Sequence, residues 1–262
     1  MSEAIYTADG AGFVPTGHAR GPWDGDSQHG GPPAALLARA IECLDAPGPM
    51  LVARLTVEFL RPVPLVPLEV RAEIVRPGRR LQLAEAHVLA DGQEVLRARA
   101  VRLRRAPVAV PDAARPGPRL AGPEAIEPAR IPLPPHGHDE GFARTGMELR
   151  FVEGRFTEPG PATAWFRLRV PLIEGEETTP MERTMVAADF GNGISAALAF
   201  ERHLFVNTDL TVHLLRQPVG EWIGVEAVTE HGPEGTALAA SVLHDADGPV
   251  GRAQQSLFVD AR

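Results

Sequence analysis

Leu55, Val57 and Phe59 alternate with Thr56, Glu58 and Leu60, a period of two that predicts a half-buried strand. Leu210, Val212 and Leu214 repeat the pattern, so a second such strand is expected in the later half of the chain. Asp91-Gly92 and Asp247-Gly248 each separate two apolar alternating runs, the composition of a tight hairpin turn. Between Pro32 and Leu44 the pattern changes. Ala and Leu crowd this segment and leave no wide polar face, which predicts a helix buried along most of its length. Gly30, Gly31 and Pro32 mark its start, where proline is tolerated because the first turn has no use for its amide hydrogen.

These elements occur twice. LTVEFLRP (Leu55 to Pro62) is matched by LTVHLLRQP (Leu210 to Pro218), and LADGQEVLRARAVRL (Leu89 to Leu103) by HDADGPVGRAQQSLF (His244 to Phe258). The two pairs stand at nearly the same separation, which marks one duplicated unit rather than two chance matches. Ahead of them, GPPAALLARA (Gly31 to Ala40) pairs with GISAALAFER (Gly193 to Arg202), placing a second helix there. From Ala106 to Pro135 the chain is rich in proline and poor in large apolar residues, so it reads as a connector. The expected organisation is an N-terminal unit over 1–105, a connector over 106–140 and a C-terminal unit over 141–262. Each unit is a buried helix followed by about four antiparallel strands, an α+β layout.

Composition narrows the function. The chain has 262 residues, 44% of them hydrophobic and 23% charged, as in ordinary globular proteins. No apolar run approaches the roughly 18 residues of a spanning helix, and MSEAIYTADGAG has neither a basic start nor an apolar core, so membrane insertion and secretion are not expected. A cytoplasmic location is the default. Cys43 is the single cysteine, which excludes an internal disulfide and an all-cysteine metal site; on the apolar helix it reads as a small buried hydrophobe. A net charge of −8 argues against a general nucleic-acid binder. All 26 basic residues are arginine, which removes any mechanism built on a lysine Schiff base or a phosphate-loop lysine. His136-Gly137-His138-Asp139 reads as solvated loop residues rather than a metal site.

The runs QHGGPPAALLARAIE, ARLTVEFLRP, RPGRRLQL to LADGQEV, NTDLTVHLLRQPVGEW and GRAQQSLFV, in this order, resemble the acyl-CoA thioesterase II type of double hot-dog proteins over most of the chain. The resemblance implies a tandem hot-dog fold, each half a helix wrapped by an antiparallel sheet, and hydrolysis of a fatty or other carboxylic acyl-CoA without metal or organic cofactor. It also implies an Asp, a Thr and a Gln holding the attacking water, matched here by Asp209, Thr229 and Gln255, with Gln254 as the neighbouring alternative. The single-unit relatives carry a helix carboxylate where Ala38 and Arg39 stand. Homodimers or higher homo-oligomers of the fused chain are expected, since hot-dog units bury sheet edges and faces by associating.

Thioester hydrolysis needs a polarised carbonyl, an oriented water and a proton acceptor. Amides at a helix start, at the positive end of its dipole, can polarise the carbonyl, and His29, Gly30 and Gly31 stand at one such start. Phe190-Gly191-Asn192-Gly193 marks another, with Asp189 read as a charge favoured by the dipole. In the first half the counterparts of Asp209, Thr229 and Gln255 read as Arg54, Ile74 or Val75, and Arg99, so one working site per chain is expected. Arg76, Arg79 and Arg80 at a hairpin read as a solvated turn, with contact to coenzyme A phosphates as the sharper alternative. Two other readings stand beside hydrolysis: a hot-dog hydratase or dehydratase of enoyl or hydroxyacyl thioesters, which would pair His29 with an acid, and a silent acyl-thioester binder.

Overall fold

The computed structural model describes residues 3–10, 12–111, 117–132, 137–200 and 202–262. The first half runs β1 (Tyr6–Asp9), β2 (Gly12–Pro15), α1 (Gly31–Glu42), β3 (Met50–Phe59), β4 (Leu68–Arg76), β5 (Leu81–Ala90) and β6 (Gln93–Arg104). The second runs β7 (Met147–Glu153), β8 (Ala162–Leu168), α2 (Pro180–Ala188), α3 (Gly191–Ile194), β9 (His203–Asn207), β10 (Asp209–Leu214), β11 (Ile223–His231), β12 (Thr236–Asp245) and β13 (Gly248–Ala261). All strand pairs are antiparallel, and one sheet runs β1-β2-β4-β5-β6-β3-β10-β13-β12-β11-β8-β7, with β9 paired to β13.

The halves join at β3 and β10, where Thr56 faces Thr211 and Leu55 faces Val212. Since Thr56 and Thr211 are the same residue of the repeat, a pseudo-twofold axis passes between them, and their hydroxyls lie 3.2 Å apart. Leu55 and Val57 point to the buried face together with Leu210 and Val212, as their alternation requires. The β5–β6 turn is the expected hairpin: Asp91 at φ +49 and Gly92 at φ +76 give two successive left-handed residues.

Helix α1 is buried without interruption from Gly31 to Ala38, lying in the concave side of its sheet. Cys43 caps its C-terminus and is exposed, contrary to expectation, because the helix has by then run out of the core. The second helix is also displaced from the position the repeat suggested. Residues 195–200 are not helical; α2 ends before them and α3 is a single turn closed by Ser195, whose hydroxyl donates back to the Gly191 carbonyl at 2.8 Å. The start signal lies upstream, in Thr179-Pro180-Met181-Glu182. Thr179 Oγ1 accepts from the Glu182 amide and Glu182 Oε2 accepts from the Thr179 amide, a capping box with proline in the first turn. Helices α1 and α2 pack against each other with ends reversed. Glu42 at the end of α1 lies 2.6 Å from the Thr179 hydroxyl at the start of α2, and the end of α2 meets the start of α1. Among the described residues no helix is long and apolar enough to cross a membrane.

Candidate active site

On the buried face of the second half, Thr229 of β11 stands opposite Ala239 of β12, which stands opposite Gln255 of β13. The three form one row across the sheet, with the small Ala239 leaving space between two polar side chains. Gln255 is only 1% exposed. Its Oε1 accepts from the Asn192 amide at 3.1 Å, and its Nε2 lies 3.3 Å from the Asp189 carbonyl and 3.4 Å from Asp189 Oδ1. Thr229 Oγ1 is 2.7 Å from Ser195 Oγ. The turn α3 thus lies over this row, and Gly191 permits the approach: a Cβ there would stand 2.8 Å from Ser241 Oγ and 3.1 Å from Gln255 Oε1.

Asp189 is the centre of the cluster. It caps the end of α2 and is 5% exposed as a residue. Its Oδ1 accepts from Asn207 Nδ2 at 2.9 Å, besides the longer approach of Gln255 Nε2, and its Oδ2 lies 2.9 Å from His29 Nδ1. The His29 ring packs against Phe190, 4.6 Å away between centroids, and Phe142, at 5.1 Å, two rings that are themselves stacked at 5.8 Å, and this restricts its rotation. The chain reaches His29 from Gln28, which is held by the Tyr6 hydroxyl on Oε1 at 2.6 Å and donates from Nε2 to the Pro64 carbonyl at 2.7 Å. Burial pushes the Tyr6 phenol well above its ordinary value, so it stays a neutral donor. Gly30 completes the junction, since a Cβ there would meet Phe59 at 2.8 Å and Asp189 Oδ2 at 3.0 Å.

Two groups compete for His29 Nδ1: the carboxylate at 2.9 Å and the Gly31 amide at 3.2 Å. The amide would need a lone pair on Nδ1 and the carboxylate a hydrogen. A charge-assisted bond is worth about 1.5–3 kcal/mol against about 1 for a neutral one, so the hydrogen resides on Nδ1 and points to Asp189. The Gly31 N–H is then left without a strong acceptor. Pro32 and Pro33 have no amide hydrogen, so Gly30 and Gly31 supply the available N–H groups at the start of α1.

Asp209 is not part of this cluster. It stands on the sheet face opposite Gln255, for Leu210 and Val212 are buried and Asp209 precedes them by one residue. Its Oδ1 accepts from the Ser256 amide of β13 at 2.8 Å, which ties the start of β10 to its neighbour strand. Of the adjacent glutamines, Gln255 faces inward and Gln254 outward. The register also corrects one counterpart: Thr56 faces Arg99 where Thr211 faces Gln254, so Gln255 corresponds to Ala100. The matching row in the first half is Ile74, Ala84 and Ala100, wholly apolar. Asn207 escaped sequence reading, and no local pattern marks it. Asp189 carried a signal, since the capping box sets the start of α2 and leaves the Asp at the Gly-rich break after it. His136 lies outside the described residues.

Two helices each wrapped by antiparallel strands, joined edge to edge in one chain, with polar groups gathered where one unit's helix begins and the other's ends, define a double hot-dog protein. The acyl-CoA thioesterase N-terminal domain matches residues 19–103 and the acyl-CoA thioesterase C-terminal domain residues 123–259. The chain belongs to the acyl-CoA thioesterase family and is a thioester hydrolase. Among solved structures it is similar to a hot-dog protein of Alicyclobacillus acidocaldarius, at 18% identity and TM-score 0.74, covering 100% of this chain and 97% of that one. It is also similar to an acyl-CoA thioesterase II of Mycobacterium marinum, at 16% identity and TM-score 0.65, covering 89% of each chain. At these identities the likeness is one of fold. No curated protein matches the chain in sequence.

Proposed function

We propose that the chain hydrolyses a fatty or other carboxylic acyl-CoA to the free acid and coenzyme A at the cluster of Asp189, Gln255 and Thr229, with Asp189 in the role the sequence assigned to Asp209. The observation that carries this reading is a buried carboxylate held over the Thr229–Ala239–Gln255 row beside the start of the other unit's helix. Gln255 and Thr229 offer uncharged hydrogen-bonding groups suited to a water, and the Gly30 and Gly31 amides are suited to a carbonyl that gains negative charge. No step requires a metal or an organic cofactor. The apolar first-half row supports one working site per chain.

The test is a panel of acyl-CoA esters with thiol release as the readout. Wild type should release thiol, Asp189→Asn should lose at least a hundredfold in kcat, and Asp209→Asn should retain wild-type turnover. Loss in Asp209→Asn with retention in Asp189→Asn would overturn the assignment. The His29–Asp189 pair also suits hydration of an enoyl thioester, the arrangement for which the sequence alone supplied no acid. Including an enoyl ester and following its conjugated double bond separates the two chemistries, and family membership favours hydrolysis.

A further inference from the structure

We infer that the atom taking the proton from the attacking water is Nε2 of His29, and that Asp189 serves as its positioning residue. The inference rests on the hydrolytic reading above and concerns which group in that site acts as the base.

Asp189 is badly placed to be the base itself. Oδ2 is taken up by His29 Nδ1 at 2.9 Å, and Oδ1 by Asn207 Nδ2 at 2.9 Å with Gln255 Nε2 at 3.4 Å. Both carboxylate oxygens are thus engaged by side chains of the protein, and the Asp189 side chain is 3% exposed.

His29 has the complementary properties. With hydrogen on Nδ1, directed at Asp189, the neutral ring carries a lone pair on Nε2. The carboxylate and amide contacts of the ring both run through Nδ1, and 11% of the side chain remains accessible. Phe142 and Phe190, stacked on each other at 5.8 Å, both pack against the imidazole and restrict its rotation, so the direction of the lone pair is set before substrate arrives. A carboxylate that fixes the tautomer of a histidine and stabilises its protonated form is an established way of making imidazole an effective base. Here the histidine comes from the first unit and the carboxylate from the second, so the base exists only in the fused, docked pair.

The water oxygen bonds to the thioester carbonyl carbon while one of its hydrogens passes to Nε2 and the C=O electron pair moves onto oxygen, facing the α1 amides. The C=O bond then re-forms, the C–S bond breaks, and the departing sulfur takes the proton back from Nε2. Acid and thiol result, and His29 returns to its neutral form.

The decisive variant is His29→Asn. Its side-chain amide can replace Nδ1–H as the donor to Asp189 but offers nothing in place of Nε2. We expect kcat for an acyl-CoA ester to fall by about 10²–10⁴, the usual worth of a general base, with KM within a few-fold of wild type. His29→Ala should fall similarly and be partly restored by imidazole in the buffer, a result that a merely structural role would not produce. Turnover within threefold of wild type in His29→Asn, or failure of imidazole to raise His29→Ala at all, would overturn the inference. Neither outcome bears on hydrolysis itself, which fails only if wild type releases no thiol.

Discussion

Replacing Glu182 by glutamine should stabilise the protein at pH 8 and change it little at pH 4. The side chain is 3% exposed and its carboxyl titrates near 7 instead of 4.5, because burial penalises the charged form; the Thr179 amide opposes this, while Glu42 nearby adds to it. A carboxyl whose folded value is raised favours folding while protonated. Below about 4.5 both states carry the proton and the contribution is complete. As the pH rises from about 4.5 to about 7 the unfolded chain releases its proton first, and stability falls until both states are ionised. At 1.36 kcal/mol per pH unit the full cost is about 3 kcal/mol, an upper figure because a buried site relaxes around its charge. Glutamine keeps the carbonyl that accepts from the Thr179 amide and never ionises. Thermal melts of both proteins at pH 4 and pH 8 check this. A gain of about 1–3 kcal/mol, or roughly 3–10 °C, is expected at pH 8, with near coincidence at pH 4. An equal difference at both values, or a loss at pH 8, would refute the reasoning.

Gly191→Ala would press a Cβ to 2.8 Å from Ser241 Oγ and 3.1 Å from Gln255 Oε1; acyl-CoA turnover should drop tenfold or more, and unchanged turnover would show that the turn α3 can yield. Asp245, fully buried, is bound by both Arg216 terminal nitrogens and by the amides of Val219 and Asp247, which hold its carboxyl below the ordinary value against the cost of burial. Arg216→Ala leaves that charge without its cation and should cost about 3–5 kcal/mol in urea unfolding at pH 7. The wild-type advantage should shrink as the pH falls below the ordinary aspartate value of 3.8.

Local chemistry carried much of this protein in the sequence. The alternation around Thr56 and Thr211, the two Asp-Gly turns and the Ala- and Leu-rich run after Gly30-Gly31 were legible as strands, hairpins and a buried helix, because each depends on neighbours a few residues away. The same alternation also bears on Asp209. Once Leu210 and Val212 face the core, the residue before them must face outward, the opposite of what the family resemblance implies for Asp209. What only the tertiary structure decided is the partnership across the units. His29 and Asp189 meet because α1 and α2 lie with their ends reversed about an axis through Thr56 and Thr211. Gln255 joins them because a one-residue difference in register separates it from Gln254 and sends it to the inner face. Contacts between residues so far apart in the chain have no local signature; the packing of the two units around the paired helices brings them together.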